Sequence, residues 1–248
     1  MALRKRYADL HIHTCLSPCG DWDMSPRAVV EKSKAAGLDI IAVCDHNSAE
    51  NAAAVMRMGK KTGLFVLPGL EICSKEEVHI LALFADIGSA LAMQEKVQSH
   101  LPGVNRPDYF GYQIIADEND EVIGESDKML IGASTLSLQK IVEKTHQLGG
   151  LSIAAHVDRP AFGIISQLGF IPPDLPLDAA EVSYRMPLHE AGKKIPAVSH
   201  LPLLTSSDAH YPNDIGRART AMMMDFPDLE EIRLALQKRD GRYIFREE

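Results

Sequence analysis

Hydrophobic and polar positions along the chain switch repeatedly between a two-residue and a helical period, and each switch marks an element. Residues 7–13 alternate as a strand. Ser25-Pro26 then opens a helix that Gly37 closes, because serine is a good N-cap, proline fits the first helical turn, and glycine suits the turn beyond the end. The run LDIIAVC at 38–44 is apolar throughout, as expected of a parallel strand covered on both faces. Ser48 is predicted to cap a second helix ending near Gly63. Residues 64–67 and 78–84 read as further strands, and 89–99 as a helix.

The rhythm breaks at 101–110, which holds two prolines and a glycine. Residues 112–116 and 121–124 flank the polar stretch DEND, predicting a β-hairpin inserted at about 101–135, either a lid or a subunit contact. A helix resumes at 137–148 and stops at Gly149-Gly150. Residues 151–155, 178–182, 203–206 and 218–224 read as strands. The segment 227–238 is amphipathic, with Leu229, Ile232 and Leu236 on one side. Repeated βα units favour a closed or nearly closed α/β barrel, with an open parallel sheet as the alternative, in a single domain over 1–248.

Composition narrows the class. With 248 residues, 46% hydrophobic and 24% charged, the chain is neither disordered nor fibrous. The balance of 26 Lys+Arg against 34 Asp+Glu gives a net charge of −8, so no global basic field recruits nucleic acid and long duplex DNA is not an expected partner. Carboxylates gathered around cations would make that figure misleading. Four cysteines, at 15, 19, 44 and 73, are too few for a disulfide scaffold, and neither a signal peptide nor a membrane-length apolar run is visible. A reduced cytoplasmic protein without membrane attachment is expected.

Candidate chemistry collects at one rim. His11 and His13 are two apart on the first strand and share a face. Asp45-His46 follows the second strand in AVCDHNS, Glu71 the third in VLPGLEI, and His79 lies on the fourth in EVHILAL. His156 ends LSIAA, and Asp208 with His210 ends LLTSSDAH. Imidazole mixed with carboxylate suits Zn, Mn or Fe, and this many donors exceed one tetrahedral shell, so two or three divalent ions are implied. Glu71 is the expected bridge, since a neutral imidazole cannot offset the repulsion between neighbouring cations. Each residue alone has a plainer reading: a core histidine for His79, a helix cap for Asp45, a turn for Asp208. Jointly those readings need separate explanations for one rim. Arg159, Arg185 and Arg217 follow rim strands and are candidate phosphate-binding residues, with surface ion pairs as the alternative. Cys15 and Cys19 resemble half a zinc knuckle, but no second cysteine pair lies nearby.

In order, DLHIHT, CDHNS, GLE, EVH, AAH and SSDAH resemble the motifs of the PHP (polymerase and histidinol phosphatase) family. The resemblance implies a distorted seven-stranded β/α barrel and a metal-dependent phosphoesterase. It also implies that His11, His13, Glu71 and Asp208 hold one ion, Glu71, His79 and His156 a second, and that His46 and His210 help hold a third. Glu71, Asp208 and His210 are the expected catalytic residues. Small phosphoesterases of the family read HTxxSDG in the first motif, whereas this chain reads HTCLSPCGDWD, with Pro18 where the family has aspartate. Asp21 is expected to complete the third site, ahead of Asp23 and Cys19. The expected reaction is hydrolysis of a phosphate ester of a nucleotide, short oligonucleotide or small metabolite by metal-activated hydroxide. An amidohydrolase-like reaction at carbon and a non-catalytic metal-stabilised module are the alternatives.

Overall fold

In the computed structural model, which describes residues 2–245, strands and helices alternate through most of the chain. The order is β1 (Arg4–Ile12), α1 (Pro26–Ala35), β2 (Ile40–Val43), α2 (Ala52–Thr62), β3 (Phe65–Cys73), β4 (His79–Leu83) and α3 (Ile87–Gln98). The short α4 (Pro107–Phe110) and the strands β5 (Ile114–Ala116) and β6 (Val122–Glu125) make up the insertion. Then follow α5 (Leu138–Gln147), β7 (Leu151–Ala154), α6 (Ile164–Leu168), β8 (Ala179–Val182), α7 (Leu188–Lys194) and β9 (Leu203–Thr205). β10 (Thr220–Met224), α8 (Leu229–Gln237) and β11 (Tyr243–Ile244) complete it.

The main sheet has nine strands in the order β11-β10-β1-β2-β3-β4-β7-β8-β9, which corrects the expected seven. β10 and β11 add antiparallel beyond β1; β11 is two residues long, too short to leave a sequence pattern. β4 runs antiparallel to both β3 and β7, while the β1–β2–β3 and β7–β8–β9 neighbours are parallel. Just past β9 the chain meets β1 again: Ala209 bridges Ile12 in parallel, and His13 N–H donates to Ala209 O at 3.0 Å. The sheet is therefore curled, and its far strand returns beside its first.

Period-two alternation sorts the strand side chains into two cores. Leu67, Leu81, Leu83, Leu151, Ile153, Ala179 and Leu204 pack together with Leu229, Ile232 and Leu236 of α8. Val66, Ile72, Ile80, Ala154 and Val182 face the other way, onto Val29 of α1, Val55 of α2 and Ile141 of α5. The same parity carries Glu71 from Leu67, His79 from Leu81 and Glu181 from Ala179, so the inward face is apolar at depth and ionisable at one end. Because β4 runs against its neighbours, its first residue, His79, reaches the rim where the parallel strands end.

Ser25 Oγ accepts the Ala28 N–H and caps α1 as expected. Ser48 does not cap α2, which starts at Ala52; its hydroxyl instead donates to Gln94 Oε1 at 3.1 Å. The intervening residues are held by the rim. Asn51 Nδ2 donates to Thr14 Oγ1 and to Ile114 O, both at 3.0 Å, and its Oδ1 accepts from Ala116 N. Asn47 Nδ2 donates to Leu130 O at 2.8 Å and Gly132 O at 2.9 Å. Two buried asparagines thus fasten the inserted hairpin to the loops after β1 and β2. Among the described residues, no helix is long and apolar enough to cross a membrane.

Candidate metal centre

Eight of the nine expected ligands converge at the rim: His11, His13, His46, Glu71, His79, His156, Asp208 and His210. Glu71 is at their middle. Its Oε1 lies 2.7 Å from His79 Nδ1, 3.0 Å from His156 Nε2 and 3.4 Å from His11 Nε2. Its Oε2 lies 3.0 Å from His46 Nδ1 and 3.4 Å from His13 Nε2. Asp208 Oδ1 faces the Nε2 atoms of His13 and His11 at 3.3 and 3.5 Å. Three sets of donor atoms are close enough to share an ion: His11 with His13 and Asp208, His46 with Glu71 and His79, and His13 with His46 and His210. Two of these residues sit on strained backbone, His156 at φ 29° and Asp208 at φ 50°, in the left-handed region that disfavours side chains.

Buried partners hold the rings of the HxH pair. His11 Nδ1 lies 3.0 Å from Glu181 Oε1, and an ionised carboxylate only accepts, so that nitrogen carries the proton. His13 Nδ1 lies 2.9 Å from Ser17 Oγ, whose hydroxyl donates to Asp45 Oδ1 at 2.7 Å. Asp45, sequestered from solvent, also accepts the Thr14 N–H and hydroxyl at 2.7 Å each. Both rings therefore turn Nε2 inward, where the two nitrogens sit 3.1 Å apart. Such outer carboxylates set the tautomer and raise the basicity of metal-binding histidines. Glu181 is the centre's residue that motif reading missed, although a lone glutamate in the apolar strand DAAEV is itself a signal. Its Oε2 is buried without a partner.

The electrostatics suit cations. Burial opposes charge on Glu71, yet His79, His11 and His46 hold its carboxyl well below the usual range. Burial likewise opposes charge on Asp208, and His11 and His13 draw it down. Burial disfavours protonated His11, but Glu181, Asp208 and Glu71 raise it well above an ordinary histidine; burial and neighbouring His210 push His13 well below. Buried imidazoles of opposed tendency, arranged around two ionised carboxylates, are a donor set that fits borderline divalent ions. Because Glu181, Asp208 and Glu71 raise His11, zinc uptake is expected to release a proton there. The release should diminish as pH rises through the elevated His11 value, which calorimetry in buffers of different ionisation enthalpy will measure.

Asp21 does not join the group. Its Oδ1 accepts the Asp23 N–H at 2.8 Å, closing a tight turn, and it lines a separate cleft with Trp22 and Lys32. Cys19 stands nearer: it lines one cleft with Asp208 and His210, and although desolvation opposes ionisation, neighbouring His46 and His210 bring its thiol down to about 6. The three arginines do come together. Arg159, Arg185 and Arg217 line one open cleft of about 720 Å³ with Cys19, Asp208 and His210. Arg159 Nη1 contacts Asp208 Oδ2. Arg217 is committed structurally, with Nε donating to Ser207 O at 2.9 Å and its guanidinium 3.7 Å from the Tyr184 ring centre. Arg185 Nε donates to Tyr184 Oη at 3.0 Å. Phe162 stacks on His79 at 4.5 Å, and Ile131 of the insertion helps wall the ligand cluster.

The sequence pattern of the PHP domain matches residues 9–159, more than half of the chain, and a PHP-associated pattern matches residues 193–240. The chain belongs to the PHP domain family. PHP proteins are metal-dependent hydrolases. An uncharacterised protein of Methanocaldococcus jannaschii, MJ1587, is 32% identical over 100 residues, covering 37% of this chain and 58% of that protein. A 5′-3′ exoribonuclease of Haemophilus influenzae is 25% identical over 194 residues, 62% of this chain and 69% of the relative. The lesion-specific endonuclease Q of Pyrococcus furiosus shares the fold at TM-score 0.75 and 22% identity, covering 97% of this chain and 58% of that one. The chain thus spans little more than half the length of MJ1587 and of endonuclease Q. The exclusion of long duplex DNA does not stand. Endonuclease Q, again matched in fold at TM-score 0.68, binds a 27-mer duplex with an abasic lesion at its active site. A net charge of −8 sums over the whole surface and does not describe a mouth lined by three arginines.

Proposed function

We propose that this PHP protein is a phosphoesterase whose substrates are nucleotides or nucleic-acid strands. The supporting observation is the continuity of the arginine-lined cleft with the imidazole–carboxylate cluster, joined at Asp208 and His210. A phosphoryl group seated there meets guanidinium on one side and the buried donors on the other. The cleft's volume suits a nucleotide unit.

In this reading Glu71 and Asp208 hold cationic charge next to the substrate, with Glu71 presenting one oxygen to each side of the cluster. Two or three ions of the Zn, Mn or Fe type, bound by these residues, supply Lewis acidity toward phosphoryl oxygen and lower the pKa of attacking water. His210 gives its Nδ1–H to Asp208 O, which leaves Nε2 facing the cluster as a further donor beside the substrate. Arg159, half-exposed and reaching Asp208, orients the phosphate.

The test is cleavage of nucleotides, single-stranded oligonucleotides and duplexes with and without an abasic site, alongside amide and lactone panels, with Mn or Zn supplied. Chelator-sensitive hydrolysis of a phosphate ester is expected; activity confined to amides or lactones would overturn the reading. Arg159→Ala is expected to raise KM chiefly if the guanidinium holds a spectator phosphate, and to lower kcat chiefly if it meets the transferring group. Wild-type kinetics in that variant would return Arg159 to a surface ion pair.

A further inference from the structure

The loop between His13 and Met24 carries the first motif's departure, and its backbone is stapled. Ser17 N–H donates to Thr14 O, Gly20 N–H to Ser17 O at 2.8 Å, and Asp21 N–H to His210 O at 2.8 Å. Only glycine fits at position 20, where a Cβ would lie 2.5 Å from Thr14 O. These bonds fix the two residues after Cys19, tie the loop to His210, and leave Cys19 lining one cleft with His210 and Asp208. His46 and His210 form, with His13, a triad of donors near enough to share one ion. That triad offers three imidazole nitrogens and no anionic donor, whereas the other two sets each contain a carboxylate. His210 Nδ1 is spoken for by Asp208 O, so its Nε2 is the nitrogen left for an ion.

We propose that Cys19 is the anionic ligand of the ion held by His13, His46 and His210, filling the position expected of Asp21. On binding, the thiol S–H loses its proton to solvent and a sulfur–metal bond forms, giving one sulfur and three nitrogens, a set that favours zinc or cobalt over magnesium. The other three cysteines are buried, and Cys19 is the exposed one. The proposal rests on the reading of the cluster as a metal centre, and its test separates the two.

Metal-free protein is titrated with Co(II) and followed by near-ultraviolet absorption, where sulfur-to-cobalt charge transfer is seen and nitrogen or oxygen donors are silent. A charge-transfer band is expected in the wild type. Cys19→Ser should lose it and weaken one ion by at least about 10–100-fold, the range seen even for outer-shell losses. Cys19→Asp should lose the band but keep that ion, since a carboxylate restores the charge. Iodoacetamide should label Cys19 readily in metal-free protein and slowly after zinc loading. Cobalt binding without a band, a band that survives Cys19→Ser, or labelling that zinc leaves unchanged would overturn the ligand assignment. No cobalt uptake at all would overturn the metal centre itself.

Discussion

Replacing Glu71 with glutamine is expected to remove metal and hydrolysis together. The substitution preserves volume at a buried position but takes away the one charge that five imidazoles face, at distances between 2.7 and 3.4 Å. A neutral amide cannot offset repulsion between neighbouring cations, and its NH₂ would confront ring nitrogens that now meet an acceptor. Rates should fall by at least about 10²–10³-fold, the scale of losing one fixed electrostatic group at a reacting centre. Because its neighbours hold the Glu71 carboxyl well below its ordinary range, the native charge is lost only as pH falls through that depressed value. The variant thus imitates an acid state the wild type scarcely visits. Elemental analysis beside an activity assay checks this; full metal content in Glu71→Gln would place the bridge elsewhere.

Glu181→Gln is expected to weaken metal binding by about 10–100-fold while leaving the fold intact. Glu181 touches His11 through Oε1, which also accepts the His156 N–H at 3.2 Å. A glutamine oxygen can keep both bonds, but the charge that raises His11 and strengthens its inward nitrogen is gone. Thermal unfolding without metal should therefore change little, and zinc titration should change much. Equal losses in both measurements would make Glu181 a packing residue.

How much of this centre was legible follows from what each residue type reveals. His11, His13, His46, Glu71, His79, His156, Asp208 and His210 stand where strands end, and period-two parity predicts their common face. Glu181 carries no motif, since one glutamate among alanines and valine is chemically eloquent only once Ala179 is known to face inward. Ranking Asp21 ahead of Cys19 had no support from the pattern, because a loop's side-chain directions depend on the turn it adopts. Here Gly20 and the His210 carbonyl decide that turn. The Ser48 helix start was misplaced for a related reason: Asn47 and Asn51 serve the insertion, and local capping preference gave way to bonds made across more than sixty residues. The seven-stranded expectation fell short at β11 and at the antiparallel addition of β10, both outside the repeating βα units.

The parallel bridge of Ile12 with Ala209 is the seam at which the curled sheet meets itself. It is one isolated pair, with ligands on both sides: His11 and His13 from one chain segment, Asp208 and His210 from the other. Ions held by both segments would act as a clasp between points roughly 200 residues apart, and closing a loop of that span corresponds to about 5 kcal/mol of unfolded-chain entropy. Reactivity and closure of the curled sheet would then be properties of the same few atoms.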